Sequence, residues 1–514
     1  MKIAFVYCIE ENLGIEYLSA VLKKAGHDTN LVFDPRLFDF NHKAYSIRFL
    51  KNLFDFRHYL LDGLVKMSPD LVAFSAVSPN YQWAVEFARQ VRERISTPIV
   101  FGGLHPTFVP ERAMANPFID YLIRGEGEYP LLELVESLER GSPDLKIPNL
   151  WTRSNGNIIR NPMRPLIQNL DSLPFPDKEL FYKLGPPFDV AHMTMASRGC
   201  TYACTFCGVN PLRKAYFGSN NILDPSFLRL RSVDNMVAEI KIAKEKYGST
   251  VVRFNDDDLA VNEEWLREFS QKYPREAGLP YKCFVNPLSI NERTVEYLKK
   301  SGCDQAQMGV QSISPAIRKK IGRPMPTSAI SRAVNLITEA KIILLTDNLF
   351  GLPGETENDL KETVKFYMEN PVDFANIFWL TYFATADIVD EARKEGILKD
   401  EDIERIEKEP FQGVNQNRGD LHPKTGVPYQ MMIEVINHFP KWLAKIIIAL
   451  GLHRVFMYVN IFPYIKALRI LKPKKADHVP RPNEGYDIFA LRYRRLILHY
   501  MARKLRMTWL GSPS

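Results

Sequence analysis

Cysteine is scarce in this chain, with six among 514 residues. This low number excludes the class of small secreted proteins whose folds depend on many disulfides. The N-terminal residues also lack the basic start, long apolar core and small-residue cleavage site of a signal peptide. We therefore expect a cytoplasmic protein, in which clustered thiols serve as metal ligands or catalysts rather than as disulfides.

Acidic residues are scarce near the C-terminus. Residues 441–514 contain 15 Lys or Arg against three Asp or Glu, a net charge of +12. Since the whole chain carries +7, the preceding residues carry −5. A basic tail on a mildly acidic body suggests an anionic partner surface. Because no recognisable nucleic-acid-binding module accompanies this charge, we expect no nucleic-acid partner. The basic charge instead suggests a location peripheral to the inner membrane face.

A long uninterrupted apolar run is also missing from this region. Residues 442–470 are rich in apolar side chains, but charged residues such as Lys445 and Lys466 interrupt them. A membrane-spanning helix needs about 20 mostly apolar residues, and central charges are costly. Two interpretations remain: an interfacial helix that lies on anionic lipid, or an amphipathic helix packed on the rest of the protein. Residues 490–507 are a second basic stretch with the same two interpretations.

The first part of the sequence, residues 1–145, alternates apolar strands with amphipathic helices. Its strands are apolar throughout, which is typical of a parallel sheet covered by helices on both faces. Residues 45–66 are interpreted as an insertion with one more amphipathic helix. We expect strands in four segments: "KIAFVYC", "DLVAFSAV", "PIVFGG" and "IDYLIRGEGE". This region is therefore predicted to be a doubly wound, Rossmann-like α/β domain.

A second α/β region follows a short connection. Residues 146–187 are rich in proline and polar turns, and we interpret them as a small β element and linker. Residues 188–386 contain six predicted strands: "VAHMTMAS", "TVVRFND", "YKCFVN", "QAQMGVQS", "IILLTDNLFGL" and "FANIFWLTYF". About six parallel β/α units predict a partial TIM-like barrel. Residues 387–514 are predicted to be helical and basic.

Three of the six cysteines lie in one short loop, "SRGCTYACTFCGVN" at residues 197–210. Cys200, Cys204 and Cys207 are spaced C-x3-C-x2-C and follow the first strand of the second series. In parallel α/β folds the C-terminal ends of strands carry the catalytic groups, so the position suits an active site. The remaining cysteines lie at unrelated places and are interpreted as core thiols: Cys8, Cys283 and Cys303.

Three thiolates are one fewer than the usual metal sites need. Structural zinc takes four protein ligands, of which His192 could be the fourth, and an ordinary 4Fe-4S cluster takes four cysteines. A 4Fe-4S cluster held by three cysteines has one iron free to bind another molecule, as a catalytic cluster requires. Zinc binding and a catalytic cluster both remain open at this point.

The cysteine loop, with Phe206 as its aromatic residue, resembles the C-x3-C-x-aromatic-C signature of the radical S-adenosylmethionine (radical SAM) superfamily. The resemblance implies that Cys200, Cys204 and Cys207 bind a 4Fe-4S cluster. It further implies that S-adenosylmethionine binds the fourth iron through its amino and carboxylate groups. One electron then cleaves the sulfonium and releases a 5′-deoxyadenosyl radical, so the cofactors perform the difficult chemistry while the protein orients them.

Three other strand ends resemble this superfamily. "RFNDDDLAVN" stands where the family has Gly-Gly-Glu, and its acids offer acceptors for the methionyl ammonium, unless it is only a solvated turn. "MGVQSISPAIRKKIGR" implies contacts near the ribose or methionine carboxylate. "LFGLPGET" implies backbone contacts to adenine and a helix cap from Thr356 or Glu355, unless it is only a strand-to-helix turn. The residues concerned are Asn255, Asp256, Asp257, Asp258, Gln311, Ser312, Leu352, Pro353 and Gly354.

The first domain resembles the cobalamin-binding domain that precedes many radical SAM proteins. The segments that carry this resemblance include "GIEYLSAVLKKAGH", "FGGLHPTFVPE" and "IDYLIRGEGEYPLLEL". The D-x-H-x-x-G motif with its cobalt-ligating histidine is absent, and His105 in "GGLHP" is more typical of a packing or hydrogen-bonding group. The resemblance implies cobalamin contacts at Ser75, Ser78, Gly102, Gly103, His105, Gly125, Glu126, Gly127 and Glu128.

These observations together predict a cobalamin-dependent radical SAM enzyme that transfers a methyl group to an unactivated carbon. The alternatives are a radical cyclase, oxidase or carbon–carbon coupling enzyme, with or without cobalamin, on a lipid-like substrate. An iron–sulfur electron carrier or a zinc-stabilised binding module is the non-enzyme alternative. We expect a small-molecule substrate of hydrophobic character and an electron donor such as flavodoxin or ferredoxin.

Overall fold

The computed structural model describes residues 1–36, 55–184, 188–218, 224–408, 423–436 and 441–457, together with Ala502. Its two main sheets are built from 13 of the 15 described strands. The strands are β1 Lys2–Cys8, β2 Asp28–Asp34, β3 Leu71–Ser75, β4 Ile99–Gly102, β5 Tyr121–Ile123, β6 Leu150–Ser154, β7 Asn157–Arg160, β8 Ala191–Thr194, β9 Ser197–Arg198, β10 Arg229–Leu230, β11 Val251–Phe254, β12 Tyr281–Val285, β13 Cys303–Gln311, β14 Ile343–Phe350 and β15 Phe374–Trp379.

The helices of the first half are α1 Leu13–Lys24, α2 Arg57–Met67, α3 Tyr81–Arg94, α4 Leu104–Phe108, α5 Pro110–Met114, α6 Glu128–Glu139, α7 Glu179–Tyr182 and α8 Val209–Phe217. The later helices are α9 Val233–Tyr247, α10 Glu263–Glu276, α11 Glu292–Lys300, α12 Pro315–Lys320, α13 Thr327–Glu339, α14 Glu357–Glu369, α15 Asp387–Lys394, α16 Asp400–Lys408, α17 Pro423–Val435 and α18 Lys441–Ala449. Short 3-10 turns lie at Ser78–Asn80, Leu170–Ser172, Pro225–Phe227, Pro287–Ser289 and Leu452–Met457.

The first sheet has the order β2-β1-β3-β4-β5-β6-β7, and its first five strands are parallel. The order reverses between β1 and β3, which makes this edge a topological switch point where ligands bind in doubly wound folds. The edge strand β2 was not predicted, because its first half, Asp28 to Asn30, is polar and resembles a turn. The antiparallel hairpin β6–β7 extends this sheet within the segment interpreted as a β element and linker.

The second sheet has the order β15-β14-β13-β12-β11-β8, with every neighbouring pair parallel. All six predicted strands of this region are present, and the predicted partial barrel is confirmed. Helices α9 to α14 alternate with the strands and enclose a continuous core that includes Met236, Phe269, Met308 and Val364. Thr356 caps α14 by a reciprocal pair of hydrogen bonds with Asp359, as predicted for this strand-to-helix turn.

The described part of the C-terminal region packs on the barrel. In α17, Met432 and Ile433 are buried in the barrel core, and the indole of Trp379 donates to Gln430 Oε1 at 3.0 Å. None of the described helices is both long and apolar enough to cross a membrane. The predicted helical stretch at residues 490–507 lies outside the described residues, except for Ala502.

Candidate active site between the two sheets

The cysteine loop follows β8 and β9 at the C-terminal edge of the barrel. Cys204 is buried, Cys200 and Cys207 are partly buried, and all three thiols are free. Burial, followed by the charge of Asp257, raises the pKa of Cys200 to about 12. Burial is also the main cause that raises the pKa of Cys207 to about 11. The unliganded thiols of Cys200 and Cys207 therefore stay protonated at neutral pH, and binding a metal would release their protons.

Hydrogen bonds to three other segments of the chain hold this loop in place. The Asp256 carboxylate accepts hydrogen bonds from the Ala196 N–H at 3.0 Å and from the Ser197 hydroxyl at 2.5 Å. Asp256 is thus a buried anchor at the start of the loop. On the other side, the Thr205 N–H donates to the Ile321 carbonyl at 3.1 Å. The Ile388 N–H, in turn, donates to the Thr205 carbonyl at 3.0 Å.

Gly322 brings the turn after α12 against the same loop. Its φ is +71°, and a Cβ placed there would lie 2.6 Å from the Ala203 carbonyl oxygen. No side chain larger than hydrogen fits at that distance from a backbone atom, so only glycine permits this approach.

Two buried arginines lie beside the cysteines. Arg323 donates from Nη1 to Cys204 Sγ at 3.4 Å and from Nη2 to the Gly309 carbonyl at 2.7 Å. Arg213 donates to the Cys200 and Tyr202 carbonyls, and its guanidinium lies 4.8 Å from the centre of the Phe227 ring. The Nε and Nη1 atoms of Arg213 have no hydrogen-bond partner among the described residues. Neither arginine was assigned a role from the sequence.

This donor set fits an iron–sulfur cluster. Three soft thiol ligands lie on one loop, and two cationic groups beside them offset the negative charge of thiolates. Among the described residues, no three His, Cys, Asp or Glu side chains converge on a position suited to a single metal ion. His192, considered as a fourth zinc ligand, is instead buried between Tyr182 and Glu239, 2.9 Å from Glu239 Oε1. His192 therefore does not supply a fourth ligand to the three cysteines.

The residues of the acidic loop after β11 have different environments and roles. Asp257 and Asn255 line a cavity beside the cysteine loop, whereas Asp256 anchors the loop. Burial and the neighbouring Asp256 raise the pKa of Asp257 to about 6. Burial also raises the pKa of Asp258 to about 7, and its carboxylate accepts a hydrogen bond from Ser289 at 2.9 Å. The Oδ1 atom of Asn255 has no partner among the described residues and is an acceptor open to a ligand.

The other predicted S-adenosylmethionine contacts lie outside this cavity. Gln311 ends β13 with a φ of +68°, next to a register irregularity, and the following Ser312 is buried. Leu352 is fully buried in a cluster on which Phe206 of the cysteine loop packs. Pro353 is buried, and Gly354 is exposed with a φ of +78°. The strand-end motif after β14 therefore touches the same apolar cluster as the cysteine loop.

A cavity of about 450 Å³ separates the first sheet from the cysteine loop. This volume lies within the range of small-molecule and cofactor sites. Its lining is mostly apolar, with Phe5, Leu13 and Leu131 among the contributing side chains. The predicted cobalamin contacts on this lining are Ser75, Gly102, Gly103, Gly125, Glu126, Gly127 and Glu128. From the barrel side, Met195, Ser197, Arg198, Gly199, Asn255 and Asp257 contribute.

Two of the lining residues at the edge of the first sheet are the glycines Gly102 and Gly103. Gly103 has a φ of +98°, and a Cβ there would lie 2.5 Å from the Ala76 carbonyl oxygen. Gly102 differs, because a Cβ there would meet only the Ile123 carbonyl oxygen, at an ordinary 3.5 Å. Gly103 thus permits the close packing of its turn against the Ala76 backbone, whereas Gly102 has no tight neighbour at the cavity wall. This edge fits cobalamin at the switch point of the sheet.

Two predicted cobalamin contacts, Ser78 and His105, are not part of the lining. His105 is fully buried, and both of its ring nitrogens are in use. Nδ1 lies 2.8 Å from the Ser78 hydroxyl, and Nε2 lies 2.8 Å from the Glu407 carbonyl. Burial lowers the pKa of His105 to about 4, so the ring is neutral. His105 therefore joins the first domain to α16 and is not positioned to bind cobalt.

An ion-pair cluster connects the two walls of the cavity. Arg198, two residues before Cys200, bonds to Glu126 Oε1 at 3.1 Å and to Glu128 Oε1 at 2.6 Å. Arg229 in β10 bonds to the same Glu126 atom at 2.7 Å. Glu126 belongs to the turn after β5 and Glu128 begins α6, whereas the arginines belong to β9 and β10. This cluster therefore fixes the cobalamin-binding-like edge against the start of the cysteine loop.

Comparisons with known proteins agree with this arrangement. The Radical SAM superfamily model matches residues 195–367, and the B12 binding domain model matches residues 3–135. An uncharacterized methyltransferase of Pyrococcus horikoshii, PH0819, is 31% identical over 60% of this chain and 66% of its own length. The anaerobic magnesium-protoporphyrin IX monomethyl ester cyclase of Cereibacter sphaeroides is 24% identical over 72% of this chain and 58% of its own length. Both matches span less than two thirds of the relative.

Several solved structures share the fold over most of the chain. One of them is the radical S-adenosylmethionine methyltransferase TsrM of Kitasatospora setae, with cobalamin and a 4Fe-4S cluster bound. It superposes with a TM-score of 0.60 at 19% identity, covering 76% of this chain and 78% of TsrM. At this identity the likeness establishes the fold.

Proposed function

We infer that the chain is a member of the radical SAM superfamily in which a B12-binding domain precedes the radical SAM domain, because the two family models match residues 195–367 and 3–135. From this premise we propose that it is a cobalamin-dependent radical SAM methyltransferase, which adds a methyl group to an unactivated carbon of a small molecule. The observation that carries the proposal is the cavity that joins the glycine-lined edge of the first sheet to the cysteine loop. A cofactor on that edge would lie beside Ser197, Arg198 and Gly199, the residues of the loop that precede Cys200.

The bound groups would supply the reactive chemistry: the cluster and S-adenosylmethionine a 5′-deoxyadenosyl radical, and cobalamin a methyl group. The chain itself supplies position and environment. Cys200, Cys204 and Cys207 would hold the cluster, and Arg213 and Arg323 would offset its negative charge. Asn255 and Asp257 offer acceptors for an ammonium group at the cavity wall. The mostly apolar lining offers few polar partners to water, an environment that would favour radical chemistry over side reactions with water.

The substrate is proposed to be a small molecule of hydrophobic character, because the cavity lining is mostly apolar. Reduction of the cluster needs a one-electron donor, for which we propose a flavodoxin- or ferredoxin-type protein of the cytoplasm. Contact of the C-terminal region with a membrane surface is a separate proposal that rests on the exposed side chains of that region.

A radical cyclase on the same scaffold is the second candidate. The name of the Cereibacter sphaeroides relative, a magnesium-protoporphyrin IX monomethyl ester cyclase, favours it. The two candidates differ in their products. Methyl transfer converts S-adenosylmethionine to S-adenosylhomocysteine in addition to 5′-deoxyadenosine, whereas a cyclase that uses S-adenosylmethionine only as a radical source gives 5′-deoxyadenosine alone.

The test is anaerobic reconstitution with iron and sulfide, followed by S-adenosylmethionine, reductant and cobalamin. Both nucleoside products are quantified by mass spectrometry. Cys204→Ala should abolish 5′-deoxyadenosine, whereas Cys303→Ala should retain it. Cys303 is a matched control because both thiols are 7% exposed, but Cys303 lies far from the loop, beside Cys283. A protein that binds zinc and never acquires a cluster would overturn the proposal, as would equal product from both variants.

A further inference from the structure

Exposed apolar side chains are concentrated at one place in the described chain. Eleven large hydrophobic residues are exposed, and six of them are scattered singly over the two sheets and their helices. Single exposed apolar residues are normal on protein surfaces. The other five lie within the 17 residues 441–457, in α18 and the 3-10 turn after it: Trp442, Ile446, Leu450, Leu452 and Val455. We call these five residues the α18 face.

Helix α18 is apolar on two opposite sides. Ala444 is fully buried, and Ile447 and Ile448 pack against the barrel core. Trp442 and Ile446 are four residues apart, and Leu450 follows at the same spacing, so their side chains share one stripe of the helix. Their exposed fractions are 63%, 44% and 68%. A surface helix normally turns polar residues outward, so an apolar outer stripe indicates a second apolar environment.

The charged side chains within residues 441–457 are all basic. Residues 441–457 contain no Asp or Glu, and Lys445 and Arg454 are exposed among the apolar side chains. Arg454 Nη2 lies 3.6 Å from Glu357 Oε1, so this acid of α14 is the described negative group nearest to it. The whole segment 441–514 carries a net +12. An apolar stripe with basic residues is complementary to an anionic bilayer, where Trp prefers the headgroup level.

We propose that the α18 face docks the protein on the surface of anionic lipid bilayers. The helix lies in the interface and does not span it, since α18 has nine residues. Apolar side chains insert at the level of the acyl boundary, and Lys445 and Arg454 contact the anionic headgroups. This proposal does not depend on the proposed reaction, because it rests on residues outside the cavity and the cysteine loop.

The test is sedimentation of the full-length protein with vesicles of phosphatidylcholine alone or mixed with phosphatidylglycerol. The wild type should bind the mixed vesicles, and bind more weakly in high salt. The triple variant Trp442→Ser/Ile446→Ser/Leu450→Ser should lose roughly tenfold or more in binding, since three apolar side chains would no longer be buried at the acyl boundary. The single variant Lys445→Glu should weaken binding only to the anionic vesicles.

The matched control is Val190→Ser/Ile242→Ser/Leu288→Ser, which removes three exposed apolar side chains elsewhere on the surface. It should bind vesicles like the wild type. The proposal is overturned if the wild type does not bind anionic vesicles, or if the two triple variants bind equally. It is also overturned if gel filtration shows a wild-type dimer that the α18 triple variant breaks, because the occupant would then be a second copy. Formation of 5′-deoxyadenosine should be unchanged in both triple variants, which separates this test from that of the reaction.

Discussion

The substitution Gly322→Ala should prevent cluster assembly while leaving most of the fold intact. A methyl group at this position would lie 2.6 Å from the Ala203 carbonyl oxygen, 3.4 Å from its carbon and 3.5 Å from Cys204 Cα. All three neighbours are backbone atoms of the cysteine loop, so rotation of a side chain cannot relieve the contact. Either the loop or the turn after α12 must move.

The magnitude follows from two contributions. An alanine in the left-handed region costs about 1–2 kcal/mol relative to glycine. Overpacking against backbone adds about 1–3 kcal/mol. Gly248 separates these contributions, because it has a nearly identical φ of +69° but no neighbouring atom within 4 Å of the position that a Cβ would take. Gly248→Ala should therefore lose only the free energy that an alanine costs in the left-handed region, with no contribution from overpacking.

The assay is iron content per chain and visible absorbance after anaerobic reconstitution, with thermal unfolding followed in parallel. Gly248→Ala should take up iron like the wild type, with a modest fall in unfolding temperature. Gly322→Ala should fall further in unfolding temperature and lose most of its cluster. If Gly322→Ala assembles a normal cluster and produces 5′-deoxyadenosine at the wild-type rate, the contact between this turn and the loop does not position the cysteines.

Three further predictions concern single side chains. Arg323→Gln should lower the reduction potential of the reconstituted cluster by roughly 50 mV, about 1 kcal/mol, since a buried cation beside Cys204 stabilises the reduced, more negative form; an unchanged potential in an EPR-monitored titration would refute this. Burial raises the pKa of Glu355 from 4.5 to about 8, so the folded state retains a proton that the unfolded state loses. The wild type should therefore lose stability as the pH rises between these values, and the loss should be absent in Glu355→Gln when denaturation midpoints are compared from pH 5 to 8.5. His105→Gln should leave the EPR spectrum of bound cobalt(II) cobalamin unchanged, because both ring nitrogens of His105 already have partners; loss of a nitrogen coupling would contradict this placement.

The elements with strong local signals could be predicted from the sequence. The six apolar strands of the barrel and the spacing of Cys200, Cys204 and Cys207 are such signals, and the strand ends place the motifs on one edge. Strand β2 was missed because its polar first half resembles a turn. The hairpin β6–β7 was interpreted only as a small β element, since its pairing with β5 is a long-range contact.

The supporting contacts of the site could not be predicted from the sequence. Arg323 is 119 residues from the thiol it contacts, and Glu126 is 72 residues from Arg198. Their roles arise from contacts between segments that are far apart in the sequence, which no local pattern indicates. The same holds for Asp256, which was grouped with its acidic neighbours as a candidate ligand but anchors the cysteine loop. A strand-end motif thus locates a site, whereas the division of roles within it depends on three-dimensional contacts.

Cobalamin binding by Gly102→Phe tests the central claim most directly, namely that the cavity between the sheets holds this cofactor. Gly102 lines the cavity and has room for a Cβ, so Gly102→Ala serves as a conservative control. Wild type and Gly102→Ala should retain equimolar cobalamin after gel filtration. Gly102→Phe should retain little cobalamin while its iron content stays at the wild-type level. Full cobalamin retention by Gly102→Phe would contradict the assignment of the cavity.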